Sequence, residues 1–388
     1  MNPSEVSGLV KFAPSMAEIS APAWDRCAGT DNPFLSHAFL EALEESGSAT
    51  AETGWLPRHA IIEDQSGRLV GAMPLYVKSH SYGEYVFDQG WADAYRRAGG
   101  RYYPKLLAAV PFTPVSGKRL LLHGQAPPNT AETLITGVID FARRYELSSL
   151  HVNFPTLPEW EWLAGHGFLK RMDQQFHWEN QGYGSFDDFL ETLTSRKRKQ
   201  IRRERRDVLE SGITIETLTG ADLQEHHWDA FFHLYQATSD RKWGSAYLTR
   251  PFFSLLGERL GRQIVLVMAR RDHAYIAGAL NLMGATTLFG RNWGGVGDLP
   301  FLHFEICYYR ALDFAIERGL KRVEAGAQGT HKIQRGYLPT PTYSAHWIAD
   351  PRFARAVNDY LERERSAVAD HMEELQETLS PFRQVPEP

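Results

Sequence analysis

A chain of 388 residues, 43% hydrophobic and 23% charged, carries the core material of a globular protein and a length suited to two domains, since single cores stop growing at roughly 250–300 residues. A formal net charge of −5 excludes wholesale adhesion to nucleic acid or an anionic membrane and leaves room only for local basic patches. Two distant cysteines, Cys27 and Cys307, make neither a disulfide framework nor a paired-cysteine metal site. The start MNPSEVSGLVKFAPSM lacks a leader pattern, and no apolar run reaches about 18 residues, so a cytoplasmic protein without a membrane span is expected.

Helical spacing in SHAFLEALEESG predicts a helix with Ser36 as its N-cap, followed by strands RHAIIED and RLVGAMPLYVK around the Asp64–Gly67 turn. After an aromatic, glycine-containing region, TAETLITGVIDFARRYEL reads as a helix, SSLHVNF as a strand, LPEWEWLAGHG as a short helix and FLKRMDQQFHWEN as a strand. Ser185 and Asp188 form a capping-box-like start to a long basic helix ending near Ser211. ITIETL is a strand, DLQEHHWDAFFHLYQAT and PFFSLLGERLG are helices, and QIVLVMARRD, AYIAGALNLMG and ATTLFGRNW are three successive strands. A helix from Leu302 to Leu320 follows, with Leu302, Ile306, Tyr309, Leu312 and Ile316 on one stripe, and then strands KRVEAGA and TYSAHWIA. The order implies an α/β (α+β) protein of two domains, 1–180 and 181–388, each a mixed, mostly antiparallel sheet flanked by helices.

Chemically capable residues are densest between Arg291 and Trp347. FFHLYQATSDRKWGSAYLTRPFF, GALNLMG, GRNWGG, LHFEICYYRALDFAIERGLKRVEAGAQGTHKIQRG and YSAHW together resemble a bacterial GNAT-like family labelled peptidoglycan biosynthesis/recognition, related in fold to the Fem-type aminoacyl-tRNA-dependent peptide transferases. The resemblance covers nearly the whole chain. It implies tandem GNAT-like domains and N-acyl transfer to an amine, with a small amine or a peptide as acceptor, no permanently bound cofactor, and acyl-CoA or aminoacyl-tRNA as co-substrate. In GNAT enzymes a Q/R-x-x-G-x-G/A loop cradles the pyrophosphate on helix N-terminal amides. The corresponding run here, Arg291 to Val296, departs at its last small position. Arg241 to Ala246 matches formally but lies between helices.

Acyl transfer requires a base, an oxyanion stabiliser and a proton for the leaving group. Glu324 and His331 are the candidate bases and Tyr343 a candidate proton donor. Arg291, Gln328, Lys332, Arg335 and His346 are candidate substrate contacts, and Arg241 and Trp243 form a possible second wall. Each has a plainer reading as an ion pair, a satisfied histidine or a packed aromatic. No His or Cys spacing supports a metal. In the basic run, Arg198, Arg202 and Arg205 are candidate phosphate contacts for tRNA, with a solvated helix bridged by Glu204 and Asp207 as the alternative. A GNAT scaffold that binds a peptide or cell-wall precursor without catalysis is the second functional class.

Overall fold

The computed structural model describes residues 9–242, 246–326 and 329–383. The chain opens with β1 (Lys11–Ala13), α1 (Ala21–Ala28) and α2 (His37–Glu45), the last capped as expected by Ser36, whose hydroxyl accepts from the Phe39 amide at 3.3 Å. β2 (Trp55–Pro57), β3 (His59–Glu63), β4 (Leu69–Met73) and β5 (Leu75–Lys78) follow. The stretch 68–78 is thus two strands rather than one. Pro74, with no amide to donate, ends the β4 ladder, and β5 enters a different sheet. Next come α3 (Gln89–Arg97), β6 (Lys105–Ala108), β7 (Leu121–Leu122), α4 (Thr130–Arg144), β8 (Ser149–Asn153), α5 (Leu157–Gly165) and β9 (Leu169–Glu179).

The long basic helix is also divided, into α6 (Phe186–Glu191) and α7 (Ser195–Leu209). Ser185 caps α6 at the Asp188 amide (3.1 Å), but Leu193 then turns aside to bridge Phe382. β10 (Ile213–Thr219), α8 (Glu225–Lys242), α9 (Arg250–Leu260), β11 (Ile264–Arg271), β12 (Ala274–Met283) and β13 (Thr287–Gly295) lead to the helix expected at Leu302. It runs through α10 (Leu302–Phe304), a π turn (Glu305–Tyr309) and α11 (Arg310–Glu317). The extra residue of a π turn rotates the stripe: Leu302, Ile306, Tyr309 and Leu312 are buried, and Ala315 takes the buried place foreseen for Ile316. β14 (Arg322–Glu324), a 3-10 turn (Thr330–Arg335), β15 (Leu338–Ile348) and α12 (Pro351–Leu379) complete the chain.

Two compact units result. The first takes the described residues up to Asp173 together with Thr342–Val368, and the second takes Gln174–Pro341 with the described residues from Ala369. A cut at 180/181 therefore departs from the structure at Thr342–Val368, which returns to the first unit because Ser344–Ile348 pair antiparallel with β8. The first unit holds a small sheet, β1-β3-β4-β7, and a larger one in which β15, β8, β6, β5 and β2 are consecutive neighbours. Its core gathers Leu75, Leu106, Leu150, Val152 and Ala345 beneath α4. In the second unit β10, β11, β12, β13, β14 and β9 are consecutive, antiparallel except at β13–β14, with Leu288, Val323, Leu312 and Tyr309 in its main core. Both units thus contain a parallel pair joined by a helix: β6–α4–β8 and β13–α10/α11–β14.

Candidate functional site

Where two parallel strands part, their carboxyl ends frame a crevice suited to a ligand. In the second unit β14 pairs with β13 from Thr287↔Arg322 to Phe289↔Glu324, while β13 continues to Gly295. The divergence begins at a bulge: Leu280 faces Asn292 and Asn281 faces Gly290, leaving Arg291 as the extra residue of β13. Bulges of this kind re-aim side chains beside sites. Gly290 lets the strands lie close beside it, since a Cβ there would stand a tight 3.2 Å from the Glu324 carbonyl.

Glu324 ends β14 with its side chain buried, and Oε2 has no hydrogen-bond partner. Burial pushes its carboxyl up to about 7, against the opposing pull of Arg291 and Arg322. Its cross-strand neighbour on β9 is His177, whose Nε2 lies 4.0 Å from Glu324 Oε2 and whose Nδ1 is also unpartnered. Burial holds this imidazole down at about 3, helped by the charges of Arg322, Arg291 and Lys332. Lys332 reaches back from the 3-10 turn to donate to the carbonyls of Ala325 (2.6 Å) and Gly326 (3.1 Å), and burial lowers its ammonium to about 7. The charge of Arg291 acts on Glu324, His177 and Lys332 alike, which ties the four into one electrostatic group. Burial thus tunes an acid and an amine of this unit towards neutrality, each next to the charge of Arg291.

His331 is exposed at the same turn and shares a 3.0 Å hydrogen bond with the Tyr308 hydroxyl, its pKa lowered first by burial and then by Arg335 and Lys332. Arg335 has a different role from the expected substrate contact. It is buried, donates to both oxygens of Glu204 (2.9 Å each), to the Tyr309 hydroxyl (3.0 Å) and to the His331 carbonyl (2.8 Å), and lies 3.5 Å over the Phe304 ring. A guanidinium with all these partners braces α7 and the π turn. Arg241 likewise braces the scaffold: it donates to the Gly295 carbonyl at 2.6 Å, while the Gly295 amide donates to Thr238 at 3.0 Å. The run expected as a phosphate turn is therefore strand, and its Gly295 amide is already used. Gly294 lies against α8, where a Cβ would meet the Leu234 backbone at 2.4 Å.

The single expected cluster divides. Tyr343 and His346 belong to the first unit, where Tyr343 packs on Trp160 at 4.5 Å and His346 meets His151 at 2.6 Å between Nδ1 atoms. Gln328 and Trp243 lie outside the described residues. On α7, Arg198 pairs with Glu191, Arg202 with Asp187 at 2.8 Å, and Arg205 with Glu305 (3.2 Å) and Asp313 (3.1 Å from Nη1). Arg205 is thereby committed to the interior of its own unit, whereas Arg203 and Arg206 remain exposed. His177 is absent from the sequence reading. The signal was the alternation in FHWEN, which places His177 opposite in facing to the core residues Phe176 and Trp178.

The FemAB-like family model, described as peptidoglycan biosynthesis/recognition, matches residues 15–384. No curated protein matches the chain by sequence. Among solved structures, FemX is similar with a TM-score of 0.55 and 11% identity, over 88% of this chain and 99% of that one. The C-terminal domain of an Agrobacterium fabrum protein described as a lysylphosphatidylglycerol synthetase gives 0.54 and 11%, over 90% and 97%. L-PGS from Bacillus licheniformis gives 0.50 and 8%, over 86% and 98%. At such identities the likeness is one of fold alone. No helix among the described residues is long and apolar enough to cross a membrane.

Proposed function

The chain belongs to the FemAB-like family, and from that membership we propose that it transfers an acyl or aminoacyl group to an amine acceptor at the crevice of its second unit. One observation carries the reading: Glu324 is a buried carboxyl with an unpartnered oxygen, raised towards neutrality, at the point where β13 and β14 part. As the acceptor amine attacks the acyl carbonyl, Glu324 takes its proton, with His177 Nε2 alongside, 4.0 Å from Oε2. Lys332, in its ammonium form, returns a proton to the leaving oxygen or sulfur, and Arg291 at the bulge supports the developing negative charge.

The family description favours a peptide or cell-wall precursor as acceptor, and the names of the similar synthetases favour an aminoacyl donor, leaving aminoacyl-tRNA and acyl-CoA as the two donors to compare. The test is a thermal-shift panel of acetyl-CoA, desulfo-CoA, charged tRNA and a muropeptide, followed by turnover with whichever pair binds. Glu324→Gln should keep ligand binding and lose turnover. Binding of a muropeptide without turnover in the parent chain would identify a non-catalytic scaffold instead.

A further inference from the structure

The first unit holds a second concentration of polar groups that the reaction proposed above does not use. Strand alternation turns Leu75, Leu106, Leu150, Val152 and Ala345 to the apolar core. The opposite face of the same sheet carries Tyr76, Lys78, Lys105, His151, Asn153 and His346, all buried. A buried polar face is costly unless its groups are paired. Here the Trp55 and Tyr76 side chains, Asn153 Oδ1, Glu84 Oε1 and Asp88 Oδ1 have no hydrogen-bond partner. Lys78 makes one long bond, 3.4 Å to the Tyr82 carbonyl, and lies 3.6 Å over the Trp55 ring.

The cover over this face is the segment 79–88, and it separates charge from apolar surface. Glu84 and Asp88 turn inward onto Lys105, Glu84 Oε2 at 2.8 Å and Asp88 closer still, while Tyr82 and Phe87 face out at 66% and 59% exposure. Side chains hold the segment down: Lys105 to Ser81 (2.9 Å), Arg171 to the Phe87 carbonyl (2.8 Å) and Asn153 to the Glu84 carbonyl (3.5 Å). Beneath it, Lys78 and Lys105 are direct cross-strand neighbours. With the two carboxylates removed, the sheet presents the two lysine amines flanked by the Trp55 N–H and the Tyr76 hydroxyl, a set rich in donors. Lys105 is matched by Asp88, whereas burial lowers Lys78 and raises Glu84, each to about 7, so an added anion here would hold both lysines in their ammonium form.

We propose that the Lys78–Lys105 face of the first unit is a binding site for a ligand bearing a phosphate or carboxylate group, occupied in this structure by Glu84 and Asp88 as internal anions that such a ligand displaces. Opening moves the two carboxylates out and exposes the donors in one step. The internal anions lower apparent affinity by the fraction of time they occupy the site.

Calorimetric titration of the full chain with inorganic pyrophosphate and with malonate tests this. Glu84→Gln leaves Asp88 on Lys105 and removes one competitor, so it should bind at least one of these anions about tenfold more tightly than the parent. Lys78→Met should abolish that binding. Preference for pyrophosphate assigns a phosphate ligand, and preference for malonate a carboxylate. The proposal is overturned if neither anion binds Glu84→Gln more tightly than the parent, or if binding survives Lys78→Met. Should Glu84→Gln fail to fold, the parent decides. Either anion should then raise its melting temperature above that in sodium chloride of equal ionic strength, and the rise should vanish in Lys78→Met; no rise refutes the site.

Discussion

Glu324 and His177 face each other across antiparallel neighbours, 4.0 Å apart at Oε2 and Nε2, and burial drives both towards their neutral forms. For the carboxyl that means a raised pKa and for the imidazole a lowered one, so below neutrality the proton resides on Glu324 while the ring stays neutral. Loss of that proton near pH 7 creates a carboxylate poised to take another from an incoming amine.

Replacing Glu324 by Gln should therefore lower kcat by about 10²–10⁴-fold, the usual contribution of a positioned base, with ligand binding retained. In the parent, kcat against pH should be bell-shaped around neutrality, because Glu324 must be ionised and Lys332 protonated, each with a pKa of about 7. A monotonic profile would reject this pair of roles.

Stability should carry the same signature. A carboxyl at about 7 in the fold and near 4.5 when unfolded contributes stability that is present below pH 4.5 and lost as pH rises towards 7, about 3 kcal/mol in all. His177 acts in the opposite sense, since its lowered pKa costs stability as pH falls from 6.5 towards 3. The parent profile is accordingly flattened. The difference between parent and Glu324→Gln, measured by urea unfolding from pH 4.5 to 7.5, isolates the carboxyl: the parent should lose ground relative to the variant as pH increases.

Arg335 and Glu204 form a buried ion pair, so removing one partner leaves an uncompensated charge. Arg335→Met should destabilise by about 3–5 kcal/mol, and adding Glu204→Leu should recover much of that loss. Equal destabilisation by the single and double variants would show that the pair does not act as a unit.

For the basic helix, the exposed Arg203 and Arg206 are the residues through which a tRNA donor is to be tested. Converting both to Glu should weaken tRNA binding and reduce its salt slope by about 0.9 for each lost duplex contact, with little change in melting temperature. Arg205→Glu should unfold the chain more readily instead, because it would set a third carboxylate beside Glu305 and Asp313. An unchanged slope in the double variant turns the choice towards acyl-CoA.

Much of the layering was legible because helix and strand periodicities are local. Ser36 and Ser185 cap where their side chains predict, and the helix–strand order around β13 and β14 follows the apolar pattern. What was not legible depends on partners remote in sequence. Arg335 reads as a substrate clamp until Glu204, 131 positions away, is found against it. His346 reads as part of a cluster with His331 until Ser344–Ile348 is seen to pair with β8. The polar face of the first unit was readable in principle from the alternation Ser149, His151, Asn153, but a polar stripe in a strand ordinarily signals solvent rather than a covered site.

The return of residues 344–348 to β8 also governs the order in which the molecule can be assembled during translation. The larger sheet of the first unit lacks its last strand until the ribosome has passed residue 348 of 388, while the second unit draws its β9 partner for β14 from before residue 180. The first unit cannot be cut out as one unbroken stretch with its sheet whole, so a fragment ending at 180 would expose the edge of β8 and would carry off the β9 residues that pair with β14 in the second unit, His177 among them. The sheet of the first unit therefore cannot close until the strands of the second, β10 to β14, have all been made, and that ties the yield of the early half to the fate of the late one.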